Sequence, residues 1–212
     1  IINAGNLKYF GKSKKIIDKN AKKLFKNRLI FCAASTHYNE ELFIGKIHKE
    51  LKLKYKNLIT ILIPRHINRC QSITNELENI DLKIVTKSSK KKISENTDIY
   101  LVDTYGETSK FYGLSNITFM GGSMVPHGGQ NPLEPSRMGS YILHGPKIQN
   151  FKEIYSMLSK LNASSKVYNI NNMKKNIIRK IKYKQPLKVS RKLNFIGSEI
   201  LKKNLNEINK YF

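Results

Sequence analysis

The sequence is poor in cysteine, in acidic side chains and in long apolar runs, and it has no tryptophan. Two cysteines, Cys32 and Cys70, are too few for a disulfide framework or a four-ligand zinc site. A reducing, cytosolic-type compartment is therefore the default expectation. No run approaches the ~20 apolar residues of a bilayer span, and the longest, such as Leu58–Pro64, has strand length. The opening Ile1-Ile2-Asn3-Ala4-Gly5 has neither an initiator Met nor a basic-then-apolar signal pattern, so the chain is expected to be a piece of a longer one. Acids number 15 against 39 Lys and Arg, a net charge of +24. Such an excess invites a nucleic-acid reading, but the cations are nearly all lysines, scattered from Lys8 to Lys210, and Arg is confined to positions such as Arg65 and Arg137. Base readout favours Arg forks and stacking aromatics, and neither is grouped here. Compositional drift toward Lys, Asn and Ile ranks first as the explanation, an anionic membrane surface second, and nucleic acid third.

Enough apolar material is present for a full core, at 40% of the residues. From residue 28 onward, apolar runs alternate with amphipathic stretches. Strands are expected at 29–34, 58–63, 82–86, 99–102, 117–120, 141–143 and 167–170. Helices are expected at 40–53, 67–77, 110–114, 132–138, 151–161, 173–182 and 193–211. This alternation predicts an α/β fold, a Rossmann-like, mostly parallel sheet with helices on both faces. In such sheets ligands sit beyond the carboxyl ends of the strands, where the strand order reverses, so the loops that follow strands carry the chemistry.

The strongest local feature is Gly121-Gly122-Ser123-Met124-Val125-Pro126-His127-Gly128-Gly129-Gln130-Asn131-Pro132-Leu133-Glu134-Pro135. Two glycine pairs follow a strand and lead to a helix start. Glycine lets backbone N–H groups approach an anion, and a helix N-terminus adds partial positive charge, which predicts a phosphate cradle. Asn131 suits an N-cap and Glu134 the N3 position of a capping box; helix capping alone is the alternative. A carboxylate one turn into such a helix could instead accept the two hydroxyls of a ribose, which would suit a nucleoside monophosphate. Three further polar clusters follow strands: Ser35-Thr36-His37 ahead of Glu40-Glu41, Pro64-Arg65-His66, and Asp103-Thr104-Tyr105-Gly106-Glu107.

STHYNEE at 35–41, PRH at 64–66, DTYGE at 103–107 and GGSMVPHGGQNPLEP at 121–135 together resemble the C-terminal half of 3-deoxy-D-manno-octulosonic acid (Kdo) transferases, and GNLKY at 5–9 resembles the family's junction between domains. The resemblance implies a GT-B glycosyltransferase of two Rossmann-like domains. The present chain, 1–212, would be its nucleotide-sugar domain, with 1–12 as the junction and 193–212 as a C-terminal helix packed back across it. It implies transfer of Kdo from CMP-Kdo to a lipid A precursor in lipopolysaccharide biosynthesis, with inversion and without a bound metal, at the cytoplasmic face of the inner membrane of a Gram-negative bacterium. The general base would be a carboxylate of an N-terminal acceptor domain, leaving no catalytic residue here, and the partners would be that domain, both substrates and the anionic membrane surface, with no nucleic acid.

Carried over by motif, Glu134 would accept ribose hydroxyls, while Asn131 and the Gly128-Gly129 backbone would face the phosphate, and Gln130 would line the donor site. Gly121, Gly122 and Ser123 would border the sugar. Arg65, with Pro64 as a rigid neighbour, would line the nucleotide pocket and steady the departing CMP. Ser35, Thr36 and His37 would contact the Kdo carboxylate or the phosphate. Asn39 stands where the family commonly has Gly, Thr108 where Leu is usual, and Gln130 replaces a frequent His. The absence of an Asp-x-Asp pair agrees with metal-independent chemistry. Two rivals remain: a GT-B domain for another sugar nucleotide, and a basic nucleic-acid-binding domain.

Overall fold

The computed structural model describes residues 5–11 and 19–210. Residues 1–4 and 12 of the expected junction, and 211–212 of the expected final helix, lie outside them. Seven strands, β1 (Leu29–Thr36), β2 (Leu58–Pro64), β3 (Ile84–Thr86), β4 (Ile99–Leu101), β5 (Ile117–Met120), β6 (Tyr141–His144) and β7 (Ser164–Lys166), form one sheet in the order β3-β4-β2-β1-β5-β6-β7. Every pairing is parallel. The chain winds outward from β1 to one edge, then returns to lay β5 on the other side of β1. The order thus reverses between β1 and β5.

The central strands are mostly apolar because both faces are covered; all seven residues of β2 are buried, Thr60 among them. Along β1 the side chains alternate. Phe31 and Ala33 pack with Ile44, Ile47 and Leu51 of α2 (Glu40–Lys54), Ile73 and Leu77 of α3 (Cys70–Glu78), and Met173 and Ile177 of α7 (Ile170–Lys180). Cys32 and Ala34 face Leu133 of α5 (Leu133–Arg137), Ile154, Tyr155 and Leu158 of α6 (Lys152–Lys160), and Val189 and Leu193 of α8 (Leu187–Ile208). Each fully buried large aliphatic or aromatic side chain contributes about 1.5–3 kcal/mol, so the paired cores fix the register of β1.

Several boundaries differ from expectation for identifiable reasons. The seventh strand is Ser164–Lys166, not 167–170: it is a polar edge strand, and Val167, the apolar residue that suggested a strand, is buried just beyond it with its N–H on the His144 carbonyl. The final helix begins at Leu187, six residues earlier than its apolar pattern suggested, directly after the extended Pro186. It packs on α5 and on a 3-10 turn at Leu7–Tyr9. Gly197 makes that approach feasible, since a Cβ there would lie 2.3 Å from the Tyr9 carbonyl oxygen. The short helices α1 (Lys19–Leu24) and α4 (Thr108–Tyr112) and 3-10 turns at Ile67–Arg69 and Gln149–Phe151 complete the elements of the described residues. No helix among the described residues is long and apolar enough to cross a membrane.

Candidate functional site

The loops that leave β1 and β5 meet at the carboxyl edge of the sheet, where the strand order reverses. Getting them close requires unusual backbone. β1 slips register between Ala34 and Thr36, and Ser35 turns into the left-handed region at φ 54°. Strain of this kind costs of order 1 kcal/mol or more and persists only when its surroundings enforce it. Opposite it, a Cβ on Gly121 would sit 2.3 Å from the Ser35 carbonyl oxygen and 2.5 Å from the Thr36 Cα. Only glycine permits this backbone contact. Asn39, the departure from the family's usual Gly, has φ 73° at the start of α2. Asn tolerates that conformation better than other side chains, which accounts for the replacement.

The centre of the junction is Glu40. Its carboxylate is almost fully buried and accepts backbone N–H groups from His37 (2.9 Å), Gly122 (2.7 Å), Ser123 (3.0 Å) and Met124 (2.9 Å). Consecutive N–H groups of this sort form an anion-binding nest. Burial pushes the Glu40 pKa up, while the four N–H donors pull it down. The anion in the nest belongs to the protein itself. This corrects one expectation: the Gly121-Gly122-Ser123 backbone does not present its N–H groups to a ligand. Gly121 donates to the Ala34 carbonyl, Gly122 and Ser123 donate to Glu40, and Gly129, from the second pair, donates to the Gly122 carbonyl. The N–H groups of Gly128, Gln130 and Asn131 have no acceptor among the described residues.

The residues singled out by sequence divide into a buried frame and an open face. Thr36, Pro64, Gly121, Gly122, Ser123, Gly128 and Gly129 are buried. The Ser123 hydroxyl donates to the Met120 carbonyl and accepts from Gly145 N–H, which ties it into the frame. Gly128 and Gly129 both take positive φ, at 98° and 82°, and pack against Asn150 and Ile148. On the open face lie Arg65, Asn131 and Glu134, which are exposed, with Ser35, His37 and Gln130 partly so. Asn131 does not cap by the expected geometry. Pro132 occupies the N-cap position, and the Asn131 side-chain oxygen accepts the Leu133 N–H at 3.0 Å. The Glu134 carboxylate forms no hydrogen bond or ion pair among the described residues, so the capping-box alternative lacks its reciprocal bond. Arg137 lies near enough to favour the Glu134 charge, against burial that raises its pKa.

Sequence reasoning passed over three groups at this edge. His127 stacks on His37 with ring centroids 4.0 Å apart, His66 approaches His37 edge-on at 5.8 Å, and Arg69 grips Glu41 with two nitrogens at 3.0 and 3.2 Å. His66 and His127 sat inside quoted motifs, but only the fold shows that they converge. Apart from Glu134, the acids named on this edge are engaged: Glu41 by Arg69, and Glu107 by Lys87, Thr104 and Lys110, which hold its pKa down to about 2. Asp103 accepts the N–H and hydroxyl of Ser88. No cluster of His, Cys, Asp or Glu able to hold a metal occurs among the described residues. At the opposite edge, a cavity of about 700 Å³ lies between Asn116, Arg137, Gly139 and the start of α8.

A fully parallel sheet with the site at its strand-order reversal has the architecture of the C-terminal domain of a GT-B glycosyltransferase. Comparison with known proteins narrows this. A 3-deoxy-D-manno-octulosonic acid transferase of Haemophilus influenzae is 36% identical over 179 residues, 84% of this chain and 41% of that protein. One from Rickettsia prowazekii is 32% identical over 171 residues, 79% of this chain and 37% of that protein. Among solved structures, the C-terminal CMP-Kdo binding domain of WaaA from Acinetobacter baumannii matches with a TM-score of 0.71 and 26% identity, over 86% of this chain and 96% of that one. No family model matches. The chain is homologous to the Kdo transferases over most of its length, and has the fold of a C-terminal CMP-Kdo binding domain. It spans less than half the length of these two curated relatives.

Removing the nest's anion should disturb the whole edge. Glu40→Ala strands buried N–H donors, each costing about 1–3 kcal/mol, and is expected to lose more than about 3 kcal/mol. Glu40→Gln, which keeps one acceptor oxygen, should lose less. Urea unfolding of both variants checks this; a loss below 1 kcal/mol in Glu40→Ala would show that the nest is not a structural centre.

Proposed function

We propose that this chain is the donor-binding half of an inverting Kdo transferase, holding CMP-Kdo for transfer to a lipid A precursor. The observation that carries the reading is Glu134: an exposed carboxylate with no protein partner, one turn into a helix whose approach carries unclaimed N–H groups at Gln130 and Asn131, on the edge that also presents Arg65. A ribose offers two hydroxyls to such a carboxylate, and a phosphate suits the N–H groups and the guanidinium. Arg65 and the N–H groups would stabilise the charge that develops on departing CMP, the task a divalent metal performs elsewhere. We take the donor complex to form without one. The buried residues Thr36, Pro64, Gly121, Gly122, Ser123, Gly128 and Gly129 would act as frame, and Ser35, His37, Arg65, Gln130, Asn131 and Glu134 as contacts.

Inverting transfer also needs a base on the acceptor's far side, a contribution of roughly 10²–10⁴ in rate. The engagement of Glu40, Glu41 and Glu107 supports a base, and an acceptor groove, supplied by an N-terminal domain. The lysine excess would favour the anionic cytoplasmic face of the inner membrane. A GT-B domain for another sugar nucleotide is the remaining alternative.

Calorimetric titration with CMP, UDP and an oligonucleotide separates the readings, and CMP should bind in preference to the others, with or without chelator or magnesium. Glu134→Ala should weaken CMP binding about tenfold to a hundredfold, the equivalent of a lost charge-assisted bond of about 1.5–3 kcal/mol, while the melting temperature stays put. Unchanged affinity with a lower melting temperature would leave Glu134 a structural residue.

In a transfer assay the chain alone should move no Kdo, whereas the chain rejoined to an upstream acceptor domain should; robust transfer by the 212 residues would put the base among their own carboxylates. Co-sedimentation with anionic vesicles should fall as salt rises. Equal binding to neutral vesicles would identify the lysines as compositional.

A further inference from the structure

Three histidines on three different loops converge on one point of the carboxyl edge. His37 follows β1, His66 follows β2, and His127 lies in the loop after β5. The His37 and His127 rings are tilted by 35° at 4.0 Å, and His66 meets His37 edge-on at 87°. The stack rests on Gly122: a Cβ there would lie 2.9 Å from the His127 Cδ2 and 3.2 Å from the His37 ring. His66 and His127 are exposed, and their ring nitrogens bond to nothing among the described residues. The Gln130 amide nitrogen lies 3.2 Å from the His37 Nε2. With the Gln130 amide in this orientation its N–H donates, and Nε2 accepts as a neutral imidazole does.

We propose that His37, His66 and His127 form a proton-linked receptor for an anionic oxygen group of the donor, carboxylate or phosphoryl, which takes up one proton from solvent as that group arrives. The inference rests on the donor-binding reading above. The groups facing His37 are Glu40 and Glu41 from its own loop and helix, Arg65, His66 and Arg69 from the loop after β2, and His127 and Gln130 from the loop after β5. Glu40 is consumed by its nest and Glu41 by Arg69. No free anion therefore offsets the cations, and burial together with His127, His66, Arg65 and Arg69 pushes the His37 pKa down to about 4.

A donor oxygen entering this ring of bases reverses the balance. One imidazole nitrogen gains a proton, and the N–H formed donates to the anion. If the proton goes to His37 Nε2, the Gln130 amide must leave that nitrogen, which frees the new N–H for the anion. The 4.0 Å stack admits one charge, since a second imidazolium would face the first.

CMP-Kdo is the suitable probe, because its phosphodiester and carboxylate are ionised throughout pH 6–7.5 and any proton uptake belongs to the protein. Calorimetry at pH 6.5 in buffers of different ionisation heat should give close to one proton taken up per donor bound, with affinity falling nearly tenfold per pH unit above that. Cytidine methyl phosphodiester, which lacks the carboxylate, separates the sources: uptake with both probes assigns the phosphoryl group, and uptake with CMP-Kdo alone assigns the carboxylate. His127→Asn, at an exposed position, and His37→Asn, with melting temperatures checked, should lower the uptake to below about a fifth of a proton. Equal heats in all buffers with normal CMP-Kdo binding would overturn the inference, as would uptake that survives both substitutions. Absence of any CMP-Kdo binding would instead overturn the donor reading on which it stands.

Discussion

A buried carboxylate that the chain supplies to itself holds this edge together. Moving an ion the size of Glu40 out of water costs several kcal/mol unless hydrogen bonds replace the solvent, and here four backbone N–H groups do so. Three of those donors come from the loop after β5 and one from the loop after β1, so a single side chain ties the two loops across the strand-order reversal. Other features at this point follow from it. Gly121 must lack a side chain for the loops to touch, Ser35 must bend into the left-handed region, and Asn39 must turn the chain so that Glu40 enters the helix facing inward.

Satisfying the nest internally divides the site in two. Below lies a dry frame whose polar atoms are mostly spent on one another, as at Ser123. Above lies a basic face on which Arg65, His66 and His127 are exposed together with Glu134, whose carboxylate has no hydrogen bond or ion pair among the described residues. A site of that composition receives anions through side chains and the few loop N–H groups left over, with one acid placed for hydroxyls. The scattered lysines are a separate matter, because they lie on surfaces across the whole chain and do not converge.

The fold was legible in the sequence because parallel strands buried on both faces are mostly apolar, and β1, β2, β5 and β6 are, apart from buried polar residues such as Thr60 and Thr118. β7 was misplaced because an edge strand needs only backbone partners and Ser164–Lys166 carries no apolar signal. The 121–135 block was also legible as a loop at the carboxyl edge, and the strand order puts it beside the loop after β1. Its internal wiring was not: glycines that welcome a phosphate and glycines that welcome a neighbouring carboxylate look alike in one dimension, and Glu40 lies about eighty residues upstream of its donors. For the same reason nothing in the sequence set His66 and His127 beside His37; the sheet order does.

The central claim is that the donor sits on the β1/β5 edge. The cavity at the opposite edge, between Arg137, Gln185 and Asn194, offers a rival location with about 700 Å³ of space and buried polar atoms, Arg137 Nε and Gln185 Oε1, that lack partners among the described residues. Amide chemical-shift mapping during a CMP titration distinguishes the two edges in one experiment. The account predicts shifts confined to residues 35–40, 65–69 and 121–135. Shifts centred on 137–139 and 184–194, with the glycine block unmoved, would contradict it.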